Sequence, residues 1–148
     1  MTNSTRGIQV VLVEDNTADA ELTIDALRES HITTNILWLK DGAEAIELLF
    51  GEPAANIIQG IKLVLLDLRL PRVNGLDVLP RIRSEHSTRR LPVVMLTSSM
   101  EESDLVQAYD LGTNSYLVKP VDADSFTQVV KEMGQYWMLL NKAPGDLK

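Results

Sequence analysis

Five side chains able to do chemistry stand directly after apolar segments of the chain. They are Glu14, Asp15, Asp67, Thr97 and Lys119. Three carboxylates held together repel one another unless protons or a cation compensate them. The set offers oxygen ligands and no His or Cys, which selects a hard cation. Mg²⁺ is expected because it retains several of its waters in proteins.

The chemistry that fits such a set is phosphoryl transfer. A divalent cation and a nearby lysine neutralise phosphoryl oxygens as charge develops, and the hydroxyl of Thr97 can hydrogen-bond another of those oxygens. The chain has no cysteine, so a thiol nucleophile is excluded. Asp67 is therefore the expected covalent acceptor, through an acyl phosphate.

These side chains need a scaffold, and the hydrophobic pattern predicts one. The predicted strands are Gln9–Val13, Asn35–Leu39, Leu63–Leu66, Pro92–Leu96 and Ser115–Val118. The first, third and fourth are apolar without alternation, as expected of strands buried on both faces of a parallel sheet. Helical patterns cover Ala18–Glu29, Gly42–Phe50, Leu76–Arg83, Met100–Asp110 and Ala123–Asn141.

This alternation of strands and helices predicts an α/β fold with right-handed crossovers. The pattern fits a flavodoxin-like, doubly wound (βα)5 parallel sheet in the order 2-1-3-4-5 with an extended C-terminal helix; spacing alone leaves other doubly wound orders open. Ligands of such sheets gather at the carboxyl ends of the strands. The five reactive side chains are therefore expected to converge on one edge of the sheet.

Local signals refine two of the helices. The stretch from Ser99 to Glu102 is typical of a capping box, which makes Ser99 the expected N-cap of the fourth helix and Gly112 its C-terminal stop. Pro80 falls inside the third helical pattern, where it removes a donor and crowds the preceding turn. That helix is therefore expected to begin near Val78, with Pro80 in its first turn.

The bulk composition indicates an ordinary globular protein. Its 148 residues suit one domain, predicted as a disordered arm over 1–7, a domain over 8–141 that includes the extended last helix, and a tail over 142–148. The net charge of −7 argues against nonspecific binding to nucleic acid. With no apolar run near the roughly 20 residues that span a bilayer and no secretory signal, a cytoplasmic location without membrane contact is expected.

One basic cluster is expected to be solvated surface: Arg81, Arg83, Arg89 and Arg90.

Five motifs, in the same order and phase, resemble those of response-regulator receiver domains. They are Val13–Asn16, Leu66–Pro71, Asn74–Gly75, Leu96–Ser98 and Tyr116–Pro120. The resemblance covers about residues 8 to 130. It implies that Asp67 accepts the phosphoryl group. The implied ligands of Mg²⁺ are Glu14, Asp15, Asp67 and the backbone carbonyl of Arg69.

The same resemblance implies roles for the other site residues. Thr97 and Lys119 would contact the phosphoryl group, and Tyr116 would move with Thr97 on activation. The Lys119–Pro120 peptide bond would be cis. Receivers catalyse their own phosphorylation and dephosphorylation but are not enzymes in the usual sense, and the same is expected here. Arg69 and Ser99, two positions beyond Asp67 and Thr97, are predicted to set the lifetime of the phosphorylated state.

The C-terminal half resembles, more narrowly, the single-domain receivers that serve bacterial phytochrome histidine kinases. The matching stretches are Leu96–Ser99, Asn114–Tyr116 and Tyr136–Asn141. This resemblance implies a light-sensing histidine kinase as phosphodonor. Because 148 residues leave no room for an output domain, the expected output is a partner-binding surface or a further phosphotransfer step.

The final predicted helix carries an apolar stripe at helical spacing: Phe126, Val129, Val130, Met133, Trp137 and Leu140. Tyr136, Met138 and Leu139 lie off this stripe, so the last two turns would be apolar on several faces. Large exposed apolar patches usually mark interaction sites. We therefore predict a homodimer built on the fourth and fifth helices and the edge strand between them. The candidate contacts are Tyr136, Trp137, Met138 and Leu139, and the alternative is that these residues pack onto their own domain.

Three other functions stay open. A metal-dependent phosphatase of the haloacid-dehalogenase kind also uses an Asp nucleophile, but it needs a second Asp two residues on, where this chain has Arg69. A flavin or nucleotide binder needs a glycine-rich loop after the first strand, where this chain has Glu14 to Thr17. The third is an adaptor whose phosphorylation no longer matters, and the intact acidic set argues against it.

Overall fold

The computed structural model describes residues 7–32, 35–51 and 57–147. In these residues strands and helices alternate as the sequence predicts. The strands are β1 (Val10–Val13), β2 (Ile36–Leu39), β3 (Leu63–Leu66), β4 (Val93–Thr97) and β5 (Ser115–Val118). The helices are α1 (Thr17–Glu29), α2 (Gly42–Phe50), α3 (Gly75–Ser84), α4 (Glu102–Asp110) and α5 (Ala123–Gly134), followed by a π-helix over Gln135–Leu140. The predicted arm lies, except for Gly7, outside the described residues. None of the described helices is long and apolar enough to span a bilayer.

The five strands are parallel and lie in the order β2-β1-β3-β4-β5, which confirms the predicted flavodoxin-like sheet. The register sets which residues meet at the carboxyl edge. Val13 lies between Leu39 and Leu66, and Thr97 pairs with Val118. The residues that follow these positions therefore emerge side by side.

Strands β1, β3 and β4 are buried at every residue, which explains their unbroken apolar sequence. Alternate side chains enter two apolar layers, one on each face of the sheet. Val11 and Val13 pack with residues of α2 and α3, whereas Val10 and Leu12 pack with residues of α1 and α5. The two layers together fix the positions of the strands whose carboxyl ends carry the five reactive side chains.

Helix α3 begins at Gly75, earlier than predicted. Asn74 caps it by accepting a hydrogen bond from Leu76 N at 3.0 Å, and Gly75 N donates to Leu68 O at 2.9 Å. Pro80 therefore lies inside the helix, and the predicted later start is wrong. Contacts with the loop after β3 fix the start of the helix and outweigh the local cost of a proline in its interior.

Helix α4 begins at Glu102 with Glu101 as its N-cap, so the predicted capping by Ser99 is wrong. The Ser99 hydroxyl donates to Asp104 Oδ2 at 2.6 Å instead. A bond to a carboxylate is stronger than one to a neutral partner, which favours this arrangement over a cap. At the other end Gly112 has a φ of +104°, which confirms the predicted stop.

The last helix changes its winding after α5, where the π-helix begins. Asn141 N donates to Tyr136 O at 2.7 Å, a bond between residues five apart. The wider turn buries Met138, five residues after buried Met133, and leaves Leu140 exposed. Two predictions that assumed an α-helical period are therefore wrong. Met138 is not an available contact residue, and Leu140 does not pack on the sheet.

Arg83 corrects the expectation that the basic cluster is solvated. Its guanidinium donates to the carbonyls of Gly112 (2.8 Å), Arg89 (3.0 Å) and Leu91 (2.7 Å) and to Asn114 Oδ1 (2.8 Å). Burial lowers the pKa of Arg83 from its usual value, but a guanidinium stays protonated in proteins. Arg83 therefore joins α3 to the loop before β4 and to the loop between α4 and β5, while the other three arginines are exposed as expected.

Candidate functional site

The candidate site lies at the carboxyl edge of the sheet, where backbone pairing continues one residue past three strands. Glu14 N donates to Leu39 O (2.9 Å), Asp67 N to Val13 O (3.1 Å) and Lys119 N to Thr97 O (2.8 Å). These bonds fix the backbone from which Glu14, Asp67 and Lys119 project. The sheet thus brings together side chains more than fifty residues apart in sequence.

The ammonium of Lys119 lies among three carboxylates. Its Nζ is 2.7 Å from Glu14 Oε1, 2.9 Å from Asp67 Oδ2 and 2.9 Å from Asp19 Oδ2. The side chains of Lys119 and Glu14 are only 7% and 2% exposed, so water screens their charges weakly. Asp19 was not predicted as a site residue. Its place in the first turn of α1, one turn after the acidic pair, is the signal that could have indicated it.

The charges of this cluster are not balanced. Burial and the charge of Asp67 raise the pKa of Glu14 to about 7, and Lys119 offsets only part of that rise. Burial alone would lower the pKa of Lys119, but its carboxylate partners outweigh burial and hold the pKa above its usual value. The single positive charge of Lys119 therefore does not compensate the negative charges of the carboxylates around it. A further cation would favour the ionised form of Glu14.

Three carboxylates can share such a cation. Oxygens of Glu14, Asp15 and Asp67 lie within 4.8 Å of one another. Asp15 is exposed while the other two are buried, so the cluster opens to solvent on one side. Oxygen donors of this kind are the ligands of hard divalent cations, and the residues therefore fit one. The backbone carbonyl of Arg69 as a further ligand stays a prediction.

Asp67 presents one carboxylate oxygen to Lys119 and anchors the other. Its Oδ1 accepts from Leu68 N at 2.6 Å, with a weaker contact from Arg69 N at 3.4 Å. Gly75 packs against the backbone of Asp67, where a Cβ would collide with the Asp67 carbonyl oxygen. This close approach explains the glycine at the start of α3. Oδ2 is thereby the oxygen that meets the lysine.

Ser99 joins Thr97 to Tyr116. Thr97 Oγ1 accepts from Ser99 N at 3.3 Å, and the Tyr116 hydroxyl donates to Ser99 O at 3.1 Å. Thr97 is buried, and half-buried Tyr116 packs on the apolar layer beneath α2 and α3. The loop after β4 therefore connects the two predicted switch residues. The cis geometry predicted at Pro120 stays a prediction.

The two predicted rate-tuning residues share one partner. Asp104 Oδ2 receives Arg69 Nη2 at 2.9 Å and the Ser99 hydroxyl at 2.6 Å. The side chain of Asp104 is 15% exposed, whereas that of Arg69 is 64% exposed. No motif indicated Asp104, because its role depends on the meeting of two loops from neighbouring strands.

The predicted contact residues of the C-terminal helix differ in exposure. Tyr136 and Leu139 are exposed, and Trp137 is half-buried. The rings of Tyr136 and Trp137 pack edge to face with their centroids 5.0 Å apart. These residues lie away from the acidic cluster, on the helix that packs with α1.

Comparison of the sequence with known protein families and proteins identifies the same family each time. Residues 10–131 match the family described as response regulator receiver domain. The chain is 40% identical over 137 residues to the probable methanogenesis regulatory protein FilR2 of Methanothrix harundinacea, across 92% of this chain and 87% of that protein. It is 33% identical over 129 residues to response regulator Rcp1 of a Synechocystis species, across 87% of this chain and 88% of that protein.

Solved structures agree with the sequence matches. The phosphorylated cyanobacterial phytochrome response regulator RcpA superposes with a TM-score of 0.86 at 36% identity, covering 93% of this chain and 99% of that chain. The Mn²⁺-bound form of Rcp1 superposes with a TM-score of 0.83 at 31% identity, covering 93% and 99%. The family match, these superpositions and the acidic cluster at the strand ends lead to the same conclusion: the protein belongs to the response regulator receiver domain family.

Proposed function

We propose that the protein accepts a phosphoryl group on Asp67 from the phosphohistidine of a histidine kinase, as a receiver in a two-component phosphorelay. The observation that carries this proposal is the contact of Asp67 Oδ2 with the buried Lys119 ammonium at 2.9 Å, beside two more carboxylates that can hold a cation. Phosphoryl transfer depends mainly on positioning and on neutralising charge, and these groups supply both.

In the proposed transfer Asp67 Oδ2 attacks phosphorus, so that a P–O bond forms while the P–N bond to the donor imidazole breaks. The departing imidazole takes up one proton, and Asp67 becomes an acyl phosphate. Lys119 neutralises one phosphoryl oxygen, and the hydroxyl of Thr97 hydrogen-bonds another. Asp19 keeps Lys119 in place through its own 2.9 Å contact when Asp67 loses its charge.

Glu14, Asp15 and Asp67 are proposed to hold Mg²⁺, with the carbonyl of Arg69. When bound, the cation supplies positive charge to the phosphoryl oxygens and offsets the burial and the repulsion from Asp67 that together raise the pKa of Glu14. Support comes from the oxygen-only donor set and from the Mn²⁺-bound form of Rcp1, a similar protein.

A light-sensing kinase of the phytochrome type is the proposed phosphodonor. RcpA is a phytochrome response regulator that resembles this chain over nearly its whole length, whereas FilR2 belongs by name to the regulation of methanogenesis. The test is a phosphotransfer profile in which several phosphorylated kinases compete for the protein. Faster transfer from unrelated kinases than from a bacterial phytochrome would overturn this part of the proposal.

Output is proposed to run through a protein surface, and the protein is not proposed to act on external substrates as an enzyme. Attraction of Thr97 to the phosphoryl group would pull the loop after β4, and Tyr116 would follow through Ser99. Exposed apolar side chains occur on α4, β5 and the C-terminal helix: Val106, Tyr109, Val118, Tyr136, Leu139 and Leu140. A homodimer through this surface is the proposed assembly.

The test of the central proposal uses Mg²⁺, acetyl phosphate and intact mass measurement on the wild type and on Asp67→Asn. One added phosphoryl group in the wild type and none in the variant is expected. An adduct on both proteins, or on neither, would contradict the proposal. Asp67-dependent release of phosphate from a phosphomonoester would instead favour the phosphatase alternative.

A further inference from the structure

We infer that Asp104 is a positioning residue for the phosphoryl chemistry, because it holds Arg69 and Ser99 together across the mouth of the site and limits access to the Asp67 acyl phosphate. This inference rests on the proposed phosphorylation of Asp67. It assigns a role to a residue that is not itself a proposed ligand of the cation and that meets Arg69 through its guanidinium, not through the backbone carbonyl proposed as a ligand.

The geometry places Asp104 between two loops. Arg69 follows β3 by three residues and Ser99 follows β4 by two, and these strands are parallel neighbours in the sheet. One oxygen of Asp104 receives both side chains, at 2.9 and 2.6 Å. The two loops that border the acceptor are thus joined by a single carboxylate on a third segment, the first turn of α4.

This arrangement differs from an ordinary surface ion pair, which contributes little because both partners are solvated. The Asp104 side chain is largely buried at 15% exposure. Its neighbour Ser99 is further held by the Tyr116 hydroxyl on its carbonyl and by Thr97 on its backbone N–H. Contacts of this kind couple the residues of one network, so that removal of one changes the effect of another.

The consequence concerns hydrolysis. The oxygen of a water molecule attacks phosphorus, the P–O bond to Asp67 breaks, and the products are the Asp67 carboxylate, hydrogen phosphate and one proton. On this inference, water and small phosphodonors reach Asp67 between the loops that carry Arg69 and Ser99, which follow the neighbouring strands β3 and β4. Loss of Asp104 frees these two side chains and removes a negative charge that repels anionic donors, so both reactions become faster.

The test compares Asp104→Ala with Glu102→Ala. Glu102 carries the same charge in the same turn of α4, is exposed, and forms no ion pair with the described part of the chain. The protein is phosphorylated with acetyl phosphate and Mg²⁺, the donor is removed, and the phosphoryl group is followed by intact mass. We expect decay and phosphorylation each to be at least about threefold faster in Asp104→Ala, a size typical of coupled residues, and unchanged in Glu102→Ala.

Two further tests distinguish a positioning role of Asp104 from a general loss of stability. The dissociation constant for Mg²⁺ and the melting temperature should stay at wild-type values in Asp104→Ala. Arg69→Ala should change the decay rate in the wild-type background and have little effect in the Asp104→Ala background. Equal effects of Arg69→Ala in both backgrounds, or unchanged decay in Asp104→Ala, would overturn the inference about Asp104 and leave the proposed phosphorylation of Asp67 standing. A wild type that takes up no phosphoryl group would overturn the proposed function together with it.

Discussion

The indole N–H of Trp38 donates to the backbone carbonyl of Glu14 at 2.8 Å. This bond ties the edge strand β2 to the loop that carries two of the proposed cation ligands. Lys40 lies over the same indole, with its ammonium 5.2 Å from the ring centroid. Removal of a group that orients a metal ligand from outside typically lowers metal affinity by about 10–100-fold. Trp38 is therefore expected to influence cation binding without touching the cation.

Trp38→Phe tests this expectation because it keeps an aromatic ring and removes the donor. We expect the dissociation constant for Mg²⁺, measured by calorimetry, to rise roughly tenfold, the lower end of the range for such supporting residues. Trp137→Phe is the control, since Trp137 lies in the π-helix away from the acidic loop. An equal dissociation constant in Trp38→Phe and the wild type would show that the bond does not orient the loop.

The pKa of Glu14 predicts an unusual dependence of stability on pH in the absence of divalent cations. The folded pKa is raised from 4.5 to about 7, so the folded state binds more protons than the unfolded chain inside that window. The contribution to the free energy of unfolding is therefore fully present below about pH 4.5 and is lost as the pH rises through 7.

Urea unfolding at several pH values, with a chelator present, measures this effect. Between about pH 5 and 8 the free energy of unfolding of the wild type should fall by about 1–3 kcal/mol relative to Glu14→Gln. Saturating Mg²⁺ should abolish this fall, because the cation keeps Glu14 ionised in the folded state, so that the folded and unfolded chains bind equal numbers of protons at this position. A slope shared by the wild type and Glu14→Gln would assign the effect to other groups.

Arg83→Ala is predicted to destabilise the fold, since it removes the guanidinium from four acceptors, three of them backbone carbonyls. We expect a loss of about 3 kcal/mol in the free energy of unfolding, because bonds from a charged donor are among the stronger ones. Arg83→Lys should recover only part of it, as an ammonium cannot reproduce the planar donor fork. Arg90→Ala, an exposed neighbour, should change stability by no more than about 0.5 kcal/mol. Equal losses for Arg83→Ala and Arg90→Ala would contradict this account.

The proposed homodimer is tested by sedimentation at tens of micromolar protein. Tyr136 and Leu139 are exposed on the π-helix, and Leu139→Asp should convert the dimer to a monomer because it places a charge in an apolar contact. Glu132→Asp, an exposed position on α5 where the charge is kept, should remain dimeric. A monomeric wild type at these concentrations would remove the dimer from the proposed function.

The fold and most of the site could be predicted from the sequence because both depend on local patterns. Unbroken apolar strands identify a parallel sheet, and the residue after each strand must lie at its carboxyl edge. Asp19, Trp38 and Asp104 could not be predicted in the same way, since each acts through a partner brought near by the sheet register or by meeting loops.

The errors at the C-terminal end have a similar cause. An α-helical period places Met138 outside and Leu140 inside, and the π-helix reverses both. The late start that the sequence predicts for α3 has a related cause. The sequence indicates that Pro80 destabilises a helix interior. It does not indicate the contacts of Gly75 with the loop after β3 that outweigh this destabilisation.

The central claim, that Asp67 carries the phosphoryl group as an acyl phosphate, is tested most directly by reductive trapping. The protein is treated with Mg²⁺ and acetyl phosphate and then with borohydride, which reduces an aspartyl phosphate to homoserine, and peptides are sequenced by mass spectrometry. The account predicts homoserine at position 67, dependent on both Mg²⁺ and donor. Homoserine at another aspartate, or a stable phosphate on a hydroxyl with Asp67 unchanged, would contradict it.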